Sequence, residues 1–165
     1  MSASSFVATV IDHFGFLASR FGYQRSNDER ADVRFSSARI YFSFSANERD
    51  GLDIYFGRLN CFEPDGSPES LDLGTFVGAL HTLQGTYTSL EDQSLELLAQ
   101  GLLTHGRGLI IGDDRLYSKV RELRFWHVGQ WVLEWGKSIQ LTPTETAYHQ
   151  ALLREILRLT QVYAV

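Results

Sequence analysis

The stretch VRFSSARIYFSFSANERDGLDIYF, residues 33–56, decides the fold. Val33 and Phe35 alternate with polar neighbours, then Ile40, Phe42 and Phe44, then Leu52, Ile54 and Phe56. A period of two puts such residues on one face of a strand. The connections Ser36 to Arg39 and Asn47 to Gly51 are short enough to join the three strands as an antiparallel meander. The expected pairing sets Val33 against Phe42, Phe35 against Ile40, Phe42 against Ile54 and Phe44 against Leu52. That register collects every large apolar side chain on one buried face. Arg34, Tyr41, Ser43, Asp53 and Tyr55 then share the opposite face, which is expected to be solvated.

Upstream, Phe6, Val7, Val10, Ile11, Phe14, Leu17 and Phe21 recur at the spacing of one helical stripe, with Ser4 or Ser5 as the N-cap and Gly22 as the stop. The polar run Gln24 to Arg30 reads as a connection. Downstream, Leu71 to Leu83 suits a short helix weakened by Gly74 and Gly78. Thr88 or Ser89 is expected to cap a helix carrying Leu95, Leu98 and Leu102. The apolar tripeptide Leu109, Ile110, Ile111 reads as a buried crossing or a short fourth strand. Asp113 or Asp114 caps the next helix, which carries Leu116, Val120, Leu123, His127 and Trp131. Thr142, Pro143 and Glu145 form a capping box opening the last helix, whose buried stripe is expected to hold Tyr148, Ala151, Leu152, Ile156 and Leu159. The fold class is therefore α+β: a three-stranded antiparallel meander packed by an N-terminal helix and followed by three to four C-terminal helices. The 165 residues, 44% of them hydrophobic, suffice for a single domain spanning 1–165.

Charge is unevenly spread. Between Leu59 and Gly106 there is no Lys or Arg, while Glu63, Asp65, Glu69, Asp72, Glu91, Asp92 and Glu96 all fall there. The flanking segments nearly balance, so this stretch accounts for the net charge of −5. A localised negative field favours a basic partner and repels phosphate backbones. Nucleic acid is disfavoured for that reason, although Tyr41 and Tyr55 beside Arg34 form an aromatic sheet surface of the kind that stacks bases. The single cysteine, Cys61, excludes an internal disulfide framework and fits a reducing, cytoplasmic compartment. The N-terminus lacks the basic region of a signal peptide, and no membrane association is expected.

The search for chemistry returns little. Gly106, Gly108 and Gly112 miss the dinucleotide fingerprint and follow an expected helix rather than a strand. The histidines His13, His81, His105, His127 and His149 show no metal-binding spacing, and Glu145 with His149 is better read as a helix contact. No nucleophile elbow surrounds any serine, and the adjacent acids at Glu91–Asp92 and Asp113–Asp114 suit helix starts. No catalytic residue, metal or cofactor is assigned.

Phe21-Gly22-Tyr23, Val33-Arg34-Phe35-Ser36-Ser37, Ile40-Tyr41-Phe42, Gly51 to Leu59 and Leu71-Asp72-Leu73 together resemble a set of small bacterial α+β proteins of the toxin-immunity type, over residues 14–80. The resemblance implies a binding role and carries no catalytic residue with it. Phe56 departs from the pattern, standing where those proteins have an aliphatic residue before the glycine. The leading expectation is a non-enzymatic, immunity or antitoxin-like factor neutralising a basic protein, such as a cognate toxin domain, through Glu63, Asp65, Glu69, Asp72, Glu91 and Asp92. The runner-up is a small enzyme or ligand-binding protein with a pocket between the sheet and the Trp-rich helix, lined by His127, Trp131, Tyr41 and Tyr55, with Glu122 or Glu134 beside His127. A homodimer built on Trp126 or the last helix is a third reading.

Overall fold

Phe42 stacks on Phe56 of the next strand, ring centroids 5.6 Å apart, and Phe35 meets Phe44 edge-on at 6.0 Å; all four are fully buried. These rings form the inner face of an antiparallel sheet. The computed structural model describes residues 3–27, 33–46, 53–83, 94–124 and 142–163. Within them five strands run in sequence order: β1 (Gln24–Asn27), β2 (Val33–Ser36), β3 (Ile40–Ser45), β4 (Asp53–Arg58) and β5 (Leu71–Asp72), each pairing antiparallel with the next. The meander thus has five strands rather than three. The run read as a connection supplies β1, an edge strand with no apolar alternation to reveal it, and β5 is only two residues long.

The apolar face is as expected for Val33, Phe35, Ile40, Phe42, Phe44, Ile54 and Phe56, all buried. Leu52 lies outside the described residues. The register is two residues away from the expected one on both sides of β3: Phe35 faces Phe42, Val33 faces Phe44, Phe42 faces Phe56 and Phe44 faces Ile54. A slide of two preserves which face each side chain takes, so the alternation cannot detect it. The β2–β3 connection fixes it. Ser37 N donates to Ile40 O at 2.9 Å, and Ser37 Oγ accepts from the backbone N of Arg39 and Ile40, leaving only Ala38 and Arg39 in the turn.

Helices cover the inner face. α1 (Ala3–Phe14) turns at Gly15 into the short α2 (Phe16–Ser19), and Gly22, at φ +73°, ends the run in a left-handed conformation that suits glycine. Phe14 packs on Phe44 at 4.6 Å. After β5 come α3 (Leu73–Leu83), α4 (Leu95–His105), α5 (Arg107–Ile111), α6, described over residues 114–124, and α7 (Pro143–Gln161). Ser94 caps α4 by accepting from Leu97 N, so the helix starts later than a cap at Thr88 or Ser89 requires; those two positions lie outside the described residues.

The tripeptide Leu109–Ile111 is helical, neither a crossing nor a strand. It forms the end of α5, stopped by Gly112 at φ +83°. The carbonyls that its short length leaves without a helical partner are buried and satisfied by side chains: Tyr117 donates to Leu109 O at 2.8 Å, and Tyr23 donates to Ile110 O. Asp113 caps α6 through Arg115 N. The capping box of α7 is present in both directions between Thr142 and Glu145. Its buried stripe is Leu152, Leu153, Ile156, Leu159 and Thr160, whereas Tyr148 and Ala151 face outward. No described helix is long and apolar enough to cross a membrane.

Candidate binding face

The pairing aligns Arg34, Ser43, Tyr55 and Asp72 across β2 to β5 on the outer face of the sheet. Asp53 precedes Tyr55 by two positions on β4 and shares that face. A half-open cleft of about 290 Å³ lies here, lined by Arg34, Tyr41, Ser43, Tyr55, Leu59, Pro68 and Ser70. Its floor is Tyr41, which is buried rather than solvated. Residues 59–70 fold back over that ring: Tyr41 donates its hydroxyl to Glu69 O at 2.5 Å, and the Arg34 guanidinium stacks 4.6 Å from the ring centroid. The close approach depends on Gly57, opposite Tyr41, where a Cβ would stand 2.2 Å from Glu69 O. Burial raises the Tyr41 pKa.

Tyr55 is different. It remains 39% exposed, and its hydroxyl pKa is raised first by burial and then by the carboxylates of Asp53 and Asp72. Beside the cleft, Phe62 bridges to Pro68 and is 58% exposed.

The acidic segment divides into two groups with opposite fates. Glu69 has no solvent exposure, and its carboxylate accepts from Arg58 N at 3.1 Å, Arg58 Nε at 2.9 Å, Arg58 Nη2 at 2.7 Å and Arg121 Nη1 at 3.1 Å. Glu63 accepts from Arg121 Nη2 at 3.1 Å and from Arg124 Nη1 at 2.6 Å. Arg124 Nη1 also donates to Ser70 O, and Arg58 reaches Asp114 at 3.2 Å while stacking 5.2 Å over Tyr117. Burial pushes the Glu69 carboxyl up, but the Arg58 and Arg121 bonds outweigh it and hold its pKa low. Glu63 is also held low, by the Arg124 bond first. These two acids therefore clip residues 59–70 to α6, and their charge is compensated within the chain.

Asp65 and Asp72 stay exposed. Asp65 accepts from Ser67 N and Oγ, and Asp72 caps α3 through Thr75 N. Glu91, Asp92, His127, Trp131, Trp126 and Glu134 lie outside the described residues, so of the four residues assigned to a pocket the cleft brings together Tyr41 and Tyr55. Glu122 accepts from Tyr148 and pairs with Lys119 at 3.4 Å. Among the described residues no group of three or more His, Cys, Asp or Glu side chains is placed to hold a metal.

Sequence reasoning named Arg34, Tyr41, Ser43 and Tyr55 from alternation alone. It missed Leu59, Pro68 and Ser70, and it missed Arg58, Arg121 and Arg124 as counterions. One signal for the last pair was available: Arg121 and Arg124 are three apart, hence on one side of a helix. Comparison with protein-family models, with curated proteins and with solved structures finds no match.

Proposed function

We propose that this chain is a non-enzymatic protein-binding factor of the immunity or antitoxin kind, which neutralises a basic protein partner through the outer face of its sheet. The observation that carries the reading is the shallow cleft on that face, with an exposed tyrosine ring between two aspartates. Tyr supplies large contact area at low entropic cost, Tyr and Arg are both enriched at the energetic centres of interfaces, and a half-open groove suits protruding side chains. The recognition charges in this reading are Asp53, Asp65 and Asp72 on the described surface, with Glu91 and Asp92. Glu63 and Glu69 act instead as the internal clip that shapes the cleft.

The test is affinity capture with the tagged chain from its native cell, followed by kinetics with the co-purifying protein. A basic partner is expected, with association slowed and its salt dependence flattened when Asp65, Glu91 and Asp92 are changed together to Lys. The variant is melted alongside the parent chain, so that lost binding with retained melting behaviour separates recognition from unfolding. A partner that is acidic, or one whose rate and salt slope ignore the charge reversal, contradicts the reading. The second reading, a small-ligand site, is favoured by the same cleft because Tyr41, Ser43, Tyr55 and Ser70 bring four hydroxyl-bearing side chains to its wall.

A further inference from the structure

The outer face is electrically ordered along one direction. Arg34 stands on β2, Ser43 and Tyr55 lie on β3 and β4 between, and Asp72 stands on β5 with Asp53 beside it. Strands lie about 4.8 Å apart, so the cationic and anionic ends of this row are about 14 Å apart. Among the described residues no ring or cation stacks on Tyr55, although its neighbour Tyr41 holds Arg34. The chain shows what such a ring beside a carboxylate accepts: Arg58 stacks on Tyr117 while its guanidinium forks onto Glu69.

Resting on the protein-binding reading above, we propose that the row is a docking site for an extended segment of the basic partner, crossing the strands. One arginine of that segment reaches over the Tyr55 ring to Asp72, at the far end of the row from Arg34. An acidic residue four positions away meets Arg34. Four residues of extended chain span about 13 Å and return the side chain to the same side, which matches the row. Arginine is preferred to lysine because a planar guanidinium stacks on a ring and binds carboxylates with two donors at once. Arg34 repels a cation at the other end and so fixes the direction of the segment. Phe62, tethered to Pro68 at the cleft wall, supplies an apolar flank that excludes water. A second copy of this chain is a poorer occupant. The row's four strands, of four, six, six and two residues, give a face of roughly 300 Å², less than half of the about 800 Å² that one side of a stable dimer buries.

The test uses the full chain and two capped, fluorophore-labelled peptides of Thr and Val, one with arginine and glutamate four positions apart and one with them two apart, read by anisotropy. The four-residue spacing should bind at least about fivefold more tightly, and changing its arginine to glutamine should cost about tenfold. Tyr55→Ala should abolish binding while Tyr55→Phe retains it, and Arg34→Gln should remove the preference between spacings. Asp72→Asn, which keeps a capping residue at the start of α3, should weaken binding without affecting the fold. Equal affinity for both spacings, undiminished binding to a natively melting Tyr55→Ala, or no saturation up to about 10 mM peptide overturns the site. A captured basic partner that still binds Tyr55→Ala removes this site and leaves the protein-binding reading standing. Failure of that reading shows separately, as capture of no basic protein.

Discussion

Glu69 carries a negative charge to a position without solvent contact, and it persists there because Arg58 and Arg121 supply charged donors to both oxygens. Removing the Glu69 carboxylate leaves Arg58 with Asp114 alone and Arg121 with Glu63 alone, and breaking a buried pair typically costs about 3–5 kcal/mol. Glu69→Gln should therefore lower the denaturant midpoint strongly, whereas the exposed Asp65→Asn should change it little; equal small losses would show that the clip is not a stabilising element. The pH dependence follows from the same contacts. Glu63 and Glu69 have folded pKa values below the ordinary glutamate value of 4.5, so the unfolded state takes up protons first as pH falls. Their stabilisation is fully present above about 4.5, decreases below it and is lost as pH falls through the folded values, and Glu69→Gln should flatten that limb of a stability–pH curve. Tyr23 presents the opposite case: burial pushes its hydroxyl up to about 12, despite the Ser37 bond, so it stays a neutral donor to Ile110 O. Tyr23→Phe orphans a helix-end carbonyl and should cost about 1–2 kcal/mol in urea melts. None of these partnerships was legible in sequence. Glu63 lies 58 and 61 residues from Arg121 and Arg124, and a charge desert along the chain is not one in space.

At the scale of elements, faces were legible and registers were not. Period-two alternation fixed the buried face of β2, β3 and β4, because a slip of one residue would expose every phenylalanine. A slip of two costs nothing in that pattern, and the tight Ala38–Arg39 turn held by Ser37 Oγ selected the pairing. β1 escaped notice because an edge strand of Gln24, Arg25, Ser26 and Asn27 needs backbone pairing and no apolar face. The α7 start was legible to the residue, since a capping box is a local device, and Thr142→Ala should cost about 1 kcal/mol by thermal melting. Gly57 marks a position where two elements nearly touch. A methyl group there meets Glu69 O at 2.2 Å, so Gly57→Ala should push residues 59–70 away from Tyr41 and cost about 1–3 kcal/mol. Native stability of that variant would mean the segment does not close over the sheet.

Over the whole molecule, one inner layer of rings holds the sheet to its helices, through Phe14 on Phe44, Tyr23 on Phe42 and Tyr117 on Phe56. Phe42→Ala, at the centre of that layer, should cost about 3–5 kcal/mol in denaturant melts, against less than about 1 kcal/mol for an edge position. With the inner face committed to packing and Glu63 and Glu69 committed to the clip, the recognition we propose falls to the outer face, where Tyr55 and Asp72 stay exposed. Half of this site, the Tyr41, Tyr55 and Arg34 face, followed from alternation. The other half is built by residues 59–70 folding back, a long-range closure that no local pattern encodes. The most direct measurement is residue-level footprinting of the chain free and bound to its captured basic partner. The account predicts that binding protects Tyr55, Asp72 and Phe62 and leaves the exposed faces of α4 and α7 unchanged. Protection confined to Leu103, Tyr148 or Val162, with Tyr55 as reactive as in the free chain, would contradict it.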